Sequence, residues 1–362
     1  MTDIDFDKEM VGTIEVPERD QLDLEKLTAW FEANVEGFSG PISYTKFKGG
    51  QSNPTYKIET PGIDGRGTNY VLRRQPFGKL LPSAHAVDRE YTAMTGLYPT
   101  GFPVPRTYGL CEDPEVIGAK FFVMSMADGR SLWNGALPSN SPEERREIYN
   151  SLIDTMADLH LNKPDEIGLG DYGKPTDYCA RQISRWSKQY KLSETEHMPE
   201  MEKLIEWLPQ TIPPQHESSV VHGDYRLDNV IFHKSENRVI AVLDWELSTL
   251  GDPIADFSYL MLNWFQPADG RAGLLGLDLE ALGIPTVEQA VDRYVARTGY
   301  PVPPMDWYFA YNLFRLAGIM QGIKKRVIDG TASSAHAKSM SERVKPLVDR
   351  AYQFALDAGM PT

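Results

Sequence analysis

The sequence predicts an α+β chain of two lobes, a small antiparallel-sheet N-lobe followed by a larger, mainly helical C-lobe. Three observations carry this. A chain of 362 residues is too long for one compact core and suits two. Short strand-like runs separated by turns fill the first third, whereas apolar residues recur at helical spacing beyond residue 141. Within the helical part, residues 220–257 (VVHGDYRLDNVIFHKSENRVIAVLDWELSTLGDPIADF) hold two apolar runs that each end in acids. The lobes are expected to span residues 1–127 and 128–362.

The elements follow in order. Residues 1–20 are polar and expected to be irregular. Residues 23–35 place Leu24, Leu27, Trp30, Phe31 and Val35 on one helical face. Residues 42–48 and 55–59 read as strands joined by Gly49-Gly50-Gln51-Ser52-Asn53-Pro54, and residues 69–74 form a third strand ending Val71-Leu72-Arg73-Arg74. Such a glycine turn can cover phosphates with backbone N–H groups, and it can equally be a plain hairpin. Residues 84–97 read as a helix with Val87, Tyr91 and Met94 on one face and Glu90 on another, within reach of a strand cation. Strands over 106–111 and 121–126 precede the break Ala127-Asp128-Gly129.

Ser141-Pro142-Glu143-Glu144 is a capping box with proline at the first helical position. Helices are then expected from Ser141 onward and over 176–190, 201–208, 254–264, 287–298, 307–327 and 337–358. There is no internal repeat.

Composition narrows the function. Acids outnumber bases 51 to 37, a net charge of -14, which argues against a nucleic-acid partner. Only Cys111 and Cys179 occur, too few for a disulfide framework or a thiolate metal site. The start, MTDIDFDKEM, lacks the basic-then-apolar pattern of a signal peptide, and no apolar run approaches the roughly 20 residues of a membrane helix. The expectation is a reduced, cytoplasmic protein with no membrane association.

The chemistry lies in residues 220–257. Asn229 sits five residues after Asp224, and Asp244 twenty after it. Phosphoryl transfer uses such a set: one carboxylate at the attacking hydroxyl, then an amide and a second carboxylate on magnesium. A lone Gly-Asp would read as a turn; the step to Asn229 and then to an acid after an apolar strand overrides that. His222, Asp252 and Asp256 are expected to support the loop or cap the following helix. Arg226 can pair with an acid or touch substrate, and Glu246 can reach a second ion or the substrate.

HGDYRLDNVIF with VLDWELSTLGDPIADFSYL resembles the aminoglycoside phosphotransferase and choline kinase-like family. YVLRRQPFGKLLPSAHAVDREYTAM and FFVMSMADGRSLW resemble one branch of it, the phosphotransferase domains beside or fused to acyl-CoA dehydrogenases. The resemblance implies the bilobal protein-kinase-like fold, ATP and Mg2+ as cofactors, a small-molecule hydroxyl acceptor, and a functional link to an acyl-CoA dehydrogenase. It matches Asp224 to the catalytic aspartate and Asn229 and Asp244 to the magnesium ligands. Gly49, Gly50, Gln51, Ser52 and Asn53 match the phosphate-covering loop, and Ser125, Met126 and Ala127 the linker whose backbone bonds adenine. Glu90 matches the helix glutamate that pairs with a strand lysine. Here the sequence departs, offering Arg73, a permanent cation able to grip phosphate with two N–H groups. Arg74 is the competing choice, since strand neighbours face opposite ways.

The branch implies a hydroxyacyl-CoA or related hydroxy acid as acceptor. Tyr178, Arg181, Trp186, Trp264, Trp307, Tyr308, Tyr311 and Arg315 are aromatic or basic, which suits an anionic acceptor better than a polycationic aminoglycoside, although helix aromatics are also common in cores. Lys324-Lys325-Arg326 can meet a phosphate or simply form a solvated helix end. An aminoglycoside or choline kinase, a protein kinase, and a nucleotide-binding regulatory module without turnover are the alternatives. The helical insert before Asp224 and the missing Ala-Pro-Glu signature argue against the protein kinase, and the intact Asp224, Asn229 and Asp244 against the regulatory module, which Arg73 in place of lysine leaves open.

Overall fold

The computed structural model describes residues 11–48, 53–63, 65–77, 85–331 and 337–362. Its N-terminal part is a sheet of six described strands: β1 (Thr13–Ile14), β2 (Ser43–Phe47), β3 (Thr55–Thr60), β4 (Thr68–Arg74), β5 (Thr107–Cys111) and β6 (Phe121–Ser125). They run antiparallel in the order β1-β2-β3-β4-β6-β5. Period-two alternation gives β4 two working faces. Tyr70 and Leu72 pack against helix α1 (Leu24–Asn34). Val71 faces the core shared with helix α2 (Val87–Leu97) and the second lobe.

Helix α1 starts where Asp23 accepts the Lys26 N–H, and it lays Trp30 and Phe31 edge-on against Phe121 and Tyr70 at 4.7 and 5.8 Å. The segment before it is more ordered than its polarity suggests. Thr13–Ile14 adds to the sheet, and Asp20 is buried between Lys46 and Arg74 while its carbonyl accepts from the Tyr56 hydroxyl at 2.9 Å.

After the short α3 (Pro114–Ile117) and β6, the chain leaves this sheet. Four residues on, β7 (Arg130–Ser131) pairs with β9 (Val230–Phe232), which pairs with β10 (Val239–Val242). Gly129 makes the crossing because a Cβ there would overlap the Phe232 carbonyl oxygen and lie 2.6 Å from Ile231 Cγ2. A two-stranded ribbon, β8 (Ser219–Val221) with β11 (Thr249–Gly251), stands beside it.

Helices build the rest. They are α4 (Pro142–Leu161), α5 (Tyr178–Ser193), α6 (Pro199–Trp207), α7 (Pro253–Met261), α8 (Leu279–Leu282), α9 (Val287–Thr298), α10 (Asp306–Ile328), α11 (Ala337–Ser341) and α12 (Val344–Asp357). The capping box of α4 forms as the sequence suggests, with Ser141 and Glu144 bonding each other's backbone N–H. Helix α10 is the central post and packs against α5, α7 and α12. The single helix expected over 337–358 is broken between Ser341 and Val344, because Pro346 has no N–H for the carbonyl four residues earlier and its ring crowds that carbonyl. No described helix is long and apolar enough to cross a membrane.

Candidate active site

The loop after β8 is shaped by buried groups. Gly223 adopts φ +83°, and a Cβ there would approach Leu247 O to 2.8 Å. Asp256, on α7, takes the His222 and Gly223 N–H groups at 2.6 and 2.9 Å. His222 donates from Nε2 to Leu243 O at 2.9 Å and accepts the Asp224 N–H on Nδ1 at 3.2 Å. One imidazole therefore ties the Asp224 loop to the end of β10. Asp252 caps α7 through the N–H groups of Ile254 and Ala255.

Asp224 projects from this loop. Its Oδ1 accepts from the Tyr259 hydroxyl at 2.8 Å and lies 3.2 Å from Arg226 Nε, and Asn229 Nδ2 reaches Oδ2 at 3.2 Å and the backbone oxygen at 2.8 Å. Asn229 thus spends its amide N–H groups on Asp224, which leaves its carbonyl oxygen as the atom that could take a metal.

Asp244 follows β10 in a left-handed backbone conformation, φ +68°. Arg73 bridges it to the other lobe: Nη2 lies 2.5 Å from Asp244 Oδ1 and Nε lies 2.9 Å from Glu90 Oε1. Arg74 points the other way, to Tyr56 and Asp20 at 3.0 Å each, and is fully buried. Strand alternation therefore gives the cleft to Arg73 and the back of the sheet to Arg74.

Glu246 completes the cluster. Ligand oxygens of Glu90, Asp244 and Glu246 all lie within 4.8 Å of one another. Burial pushes the Glu90 carboxyl up to about 7, Asp244 and Glu246 push the same way, and Arg73 opposes them. Burial would lower the Arg73 guanidinium, but Glu90 and Asp244 outweigh it and hold it more firmly charged. Three acids around one guanidinium leave excess negative charge on hard oxygen atoms. That donor set fits a divalent cation such as Mg2+. Asp244 with Asn229 or with Glu246 could hold it.

Asn53 departs from the expectation of a residue lying over phosphates. It is fully buried, its Nδ2 donates to Glu90 at 3.0 Å and to Glu246 at 3.3 Å, and its Oδ1 meets His85 Nδ1 at 3.1 Å. It anchors the end of the turn to the acidic cluster. Gly49, Gly50, Gln51 and Ser52 lie outside the described residues. At the linker, Ser125 bonds Arg106 through its N–H (2.8 Å) and Oγ (3.0 Å), and the half-buried Met126 and Ala127 follow it. Their backbone groups could meet a base.

Elsewhere the structure decides between the alternatives that the sequence leaves open. Tyr178, Trp264, Trp307, Tyr308 and Tyr311 are buried, with Trp264 Nε1 spent on Pro285 O and Trp307 Nε1 on Thr211. They are core, not an open pocket. Arg181 donates to Lys174 O, Trp186 bonds Gln182, and Lys324 and Lys325 pair with Glu196 and Asp329 on the surface. The sequence reading missed Tyr259, which no local spacing connects to Asp224.

A strand–helix ion pair facing a loop aspartate and a metal-type acid, across a sheet lobe and a helical lobe, defines a protein-kinase-like phosphotransferase. The model of the phosphotransferase enzyme family matches residues 43–308, and the chain belongs to that family. It is 41% identical to acyl-CoA dehydrogenase family member 10 of Mus musculus over 326 residues, covering 89% of this chain and 30% of that protein. The chain spans less than half the length of such curated relatives. A Ralstonia eutropha crystal structure, provisionally described as an aminoglycoside phosphotransferase, is 48% identical with a TM-score of 0.85, covering 93% of this chain and 99% of that one. Spectinomycin phosphotransferase in complex with ADP and its antibiotic shares the fold at 10% identity and a TM-score of 0.60, over 92% of this chain and 99% of that one.

Proposed function

We propose that this chain is an ATP- and Mg2+-dependent kinase that phosphorylates a hydroxyl of a small molecule, with a hydroxyacyl-CoA or related hydroxy acid as acceptor. The carrying observation is the meeting of Arg73–Glu90 with Asp244 at one side of the cleft while Asp224, held on both oxygens, faces it from its own loop. Membership of the phosphotransferase family supports the reaction class. The acyl-CoA dehydrogenase names of the relatives support the acceptor class and a link to such an enzyme.

Asp224 orients the acceptor hydroxyl and takes its proton as the new oxygen–Pγ bond forms and the bond from Pγ to the ADP oxygen breaks. In a loose transition state that alignment matters more than basicity. Arg73 turns its guanidinium from Asp244 to non-bridging phosphate oxygens, while Glu90 keeps it in place. The backbone of Met126 and Ala127 receives the adenine. Bound Mg2+, on Asp244 and Asn229, would neutralise the charge of the phosphates.

The test is transfer from labelled ATP, with and without magnesium, to hydroxyacyl-CoAs, free hydroxy acids, aminoglycosides, choline and a generic protein. Transfer to the hydroxyacyl-CoAs, lost on chelation and reduced about a thousandfold or more in Asp224→Asn, is the expected result. Transfer to protein alone, or none at all, sinks the proposal.

A further inference from the structure

Asp224 is held from a direction that its own motif does not contain. Tyr259, on α7, donates its hydroxyl to Asp224 Oδ1 at 2.8 Å. Arg315, on α10, donates from Nη2 to the carbonyl oxygen of Gly223, the residue just before Asp224, at 2.7 Å. The guanidinium carbon of Arg315 lies 5.0 Å from the Tyr259 ring centroid, a cation–π contact. Two helices thus converge on one catalytic loop through two side chains that also touch each other.

The chemistry of Arg315 is unusual for a packing residue. It is 6% exposed, its Nε has no hydrogen-bond partner, and among the described residues it pairs with no carboxylate. The titratable groups that act on it are Tyr178, Tyr311, Tyr259 and Asp224, and of these the Tyr259 ring lies against its guanidinium. Burying a cation without an ion pair is costly, and an apolar side chain would fill the space with less penalty. What an apolar residue could not do is hold the Gly223 carbonyl and stack on Tyr259 together.

We propose that Tyr259 and Arg315 form one positioning unit that sets the rotation of the Asp224 carboxylate for phosphoryl transfer; this rests on the kinase reading above. Tyr259 fixes Oδ1, Asn229 fixes Oδ2, and Arg315 fixes both the backbone leading into Asp224 and the ring that carries the Tyr259 hydroxyl. Neither residue needs to touch the acceptor or the nucleotide. Its signature is a loss in turnover with substrate binding and stability kept.

The experiment uses the full chain, labelled ATP and the acceptor panel. Tyr259→Phe removes one oxygen and keeps the ring. Its kcat falls by about fivefold or more, KM for ATP and acceptor changes by less than about threefold, and the melting temperature stays within about 2 °C. Arg315→Met gives a kcat loss of the same kind, and Arg315→Lys, which keeps a donor and the charge, recovers part of it. The double variant Tyr259→Phe/Arg315→Met loses little beyond the worse single variant, as expected of one unit. If Arg315→Met does not fold, Tyr259→Phe decides alone. A fall in kcat smaller than about fivefold in Tyr259→Phe, or a loss carried by KM or by the unfolded fraction, overturns the positioning unit and leaves the kinase reading standing. A wild type inert towards every acceptor overturns both.

Discussion

A single carboxylate can hold a loop if the fold gives it enough donors, and Asp256 is the instance here. Burial pushes its carboxyl up, yet the hydrogen bond from His160 and the Gly223 N–H outweigh burial and hold it below its ordinary 3.8. An acid with a depressed folded-state value binds its proton more tightly when unfolded. The stability it contributes is therefore complete above about pH 4 and is lost as pH falls through the lower folded value. Asp256→Asn keeps the shape but gives up the charge, and it is expected to cost about 2–3 kcal/mol at neutral pH and to flatten the acid limb of the stability profile. Denaturant melts from pH 3 to 7 check this; a variant with unchanged stability and an unchanged acid limb refutes it. The same scale shows what a sequence can carry. Asp224, Asn229 and Asp244 are legible because five and twenty residues of chain fix their chemistry locally. Tyr259 and Arg315 stand 35 and 92 positions from the atoms they bond, and only the packing of α7 and α10 brings them there.

Among elements, legibility follows the source of the signal. The capping box of α4 and the alternation of β4 are local and survive folding unchanged. The aromatic residues of α10 carry no such signal, since spacing alone does not distinguish a side chain facing a ligand from one facing a neighbouring helix. Most of them prove to be core. Likewise the polar segment around Asp20 is ordered by partners far along the chain, Lys46, Tyr56 and Arg74, and its own composition conceals that. The crossing at Gly129 is an element-scale constraint of the opposite kind, a single residue whose missing Cβ lets β7 pair with β9 directly after the linker. Gly129→Ala forces the Phe232 backbone or Ile231 to move, and overpacking of that kind costs about 1–3 kcal/mol. A lower melting temperature with a raised KM for ATP is the expected result, because Met126 and Ala127 lie just before the strained position. A variant that melts and binds ATP like the wild type would show that the crossing relaxes freely.

For the whole molecule the question is what holds two lobes in one working geometry. Arg89, the neighbour of Glu90 on α2, reaches across the cleft and donates from Nη2 to the carbonyl oxygens of Tyr172 at 3.0 Å and Ser248 at 2.9 Å. Its guanidinium lies 4.5 Å from the Tyr172 ring centroid, and the Tyr172 hydroxyl donates back to Arg89 O at 3.0 Å. The helix that presents Glu90 to Arg73 is thus fastened to the helical lobe by the residue beside it. Arg89 touches none of the groups assigned to nucleotide or acceptor, so its removal tests lobe coupling separately from chemistry. In Arg89→Ala, α2 is free to drift, and a displacement of about 1 Å at Glu90 is enough to lower kcat by roughly ten- to a hundredfold. Amide exchange in α2 should quicken while the α10–α12 packing keeps its protection, since that packing does not involve Arg89. If exchange in α2 is unaltered and turnover stays within about twofold, the coupling resides in the other contacts between the lobes, Arg73–Asp244 and Asn53–Glu246 among them, and the Arg89 clamp is only a surface contact.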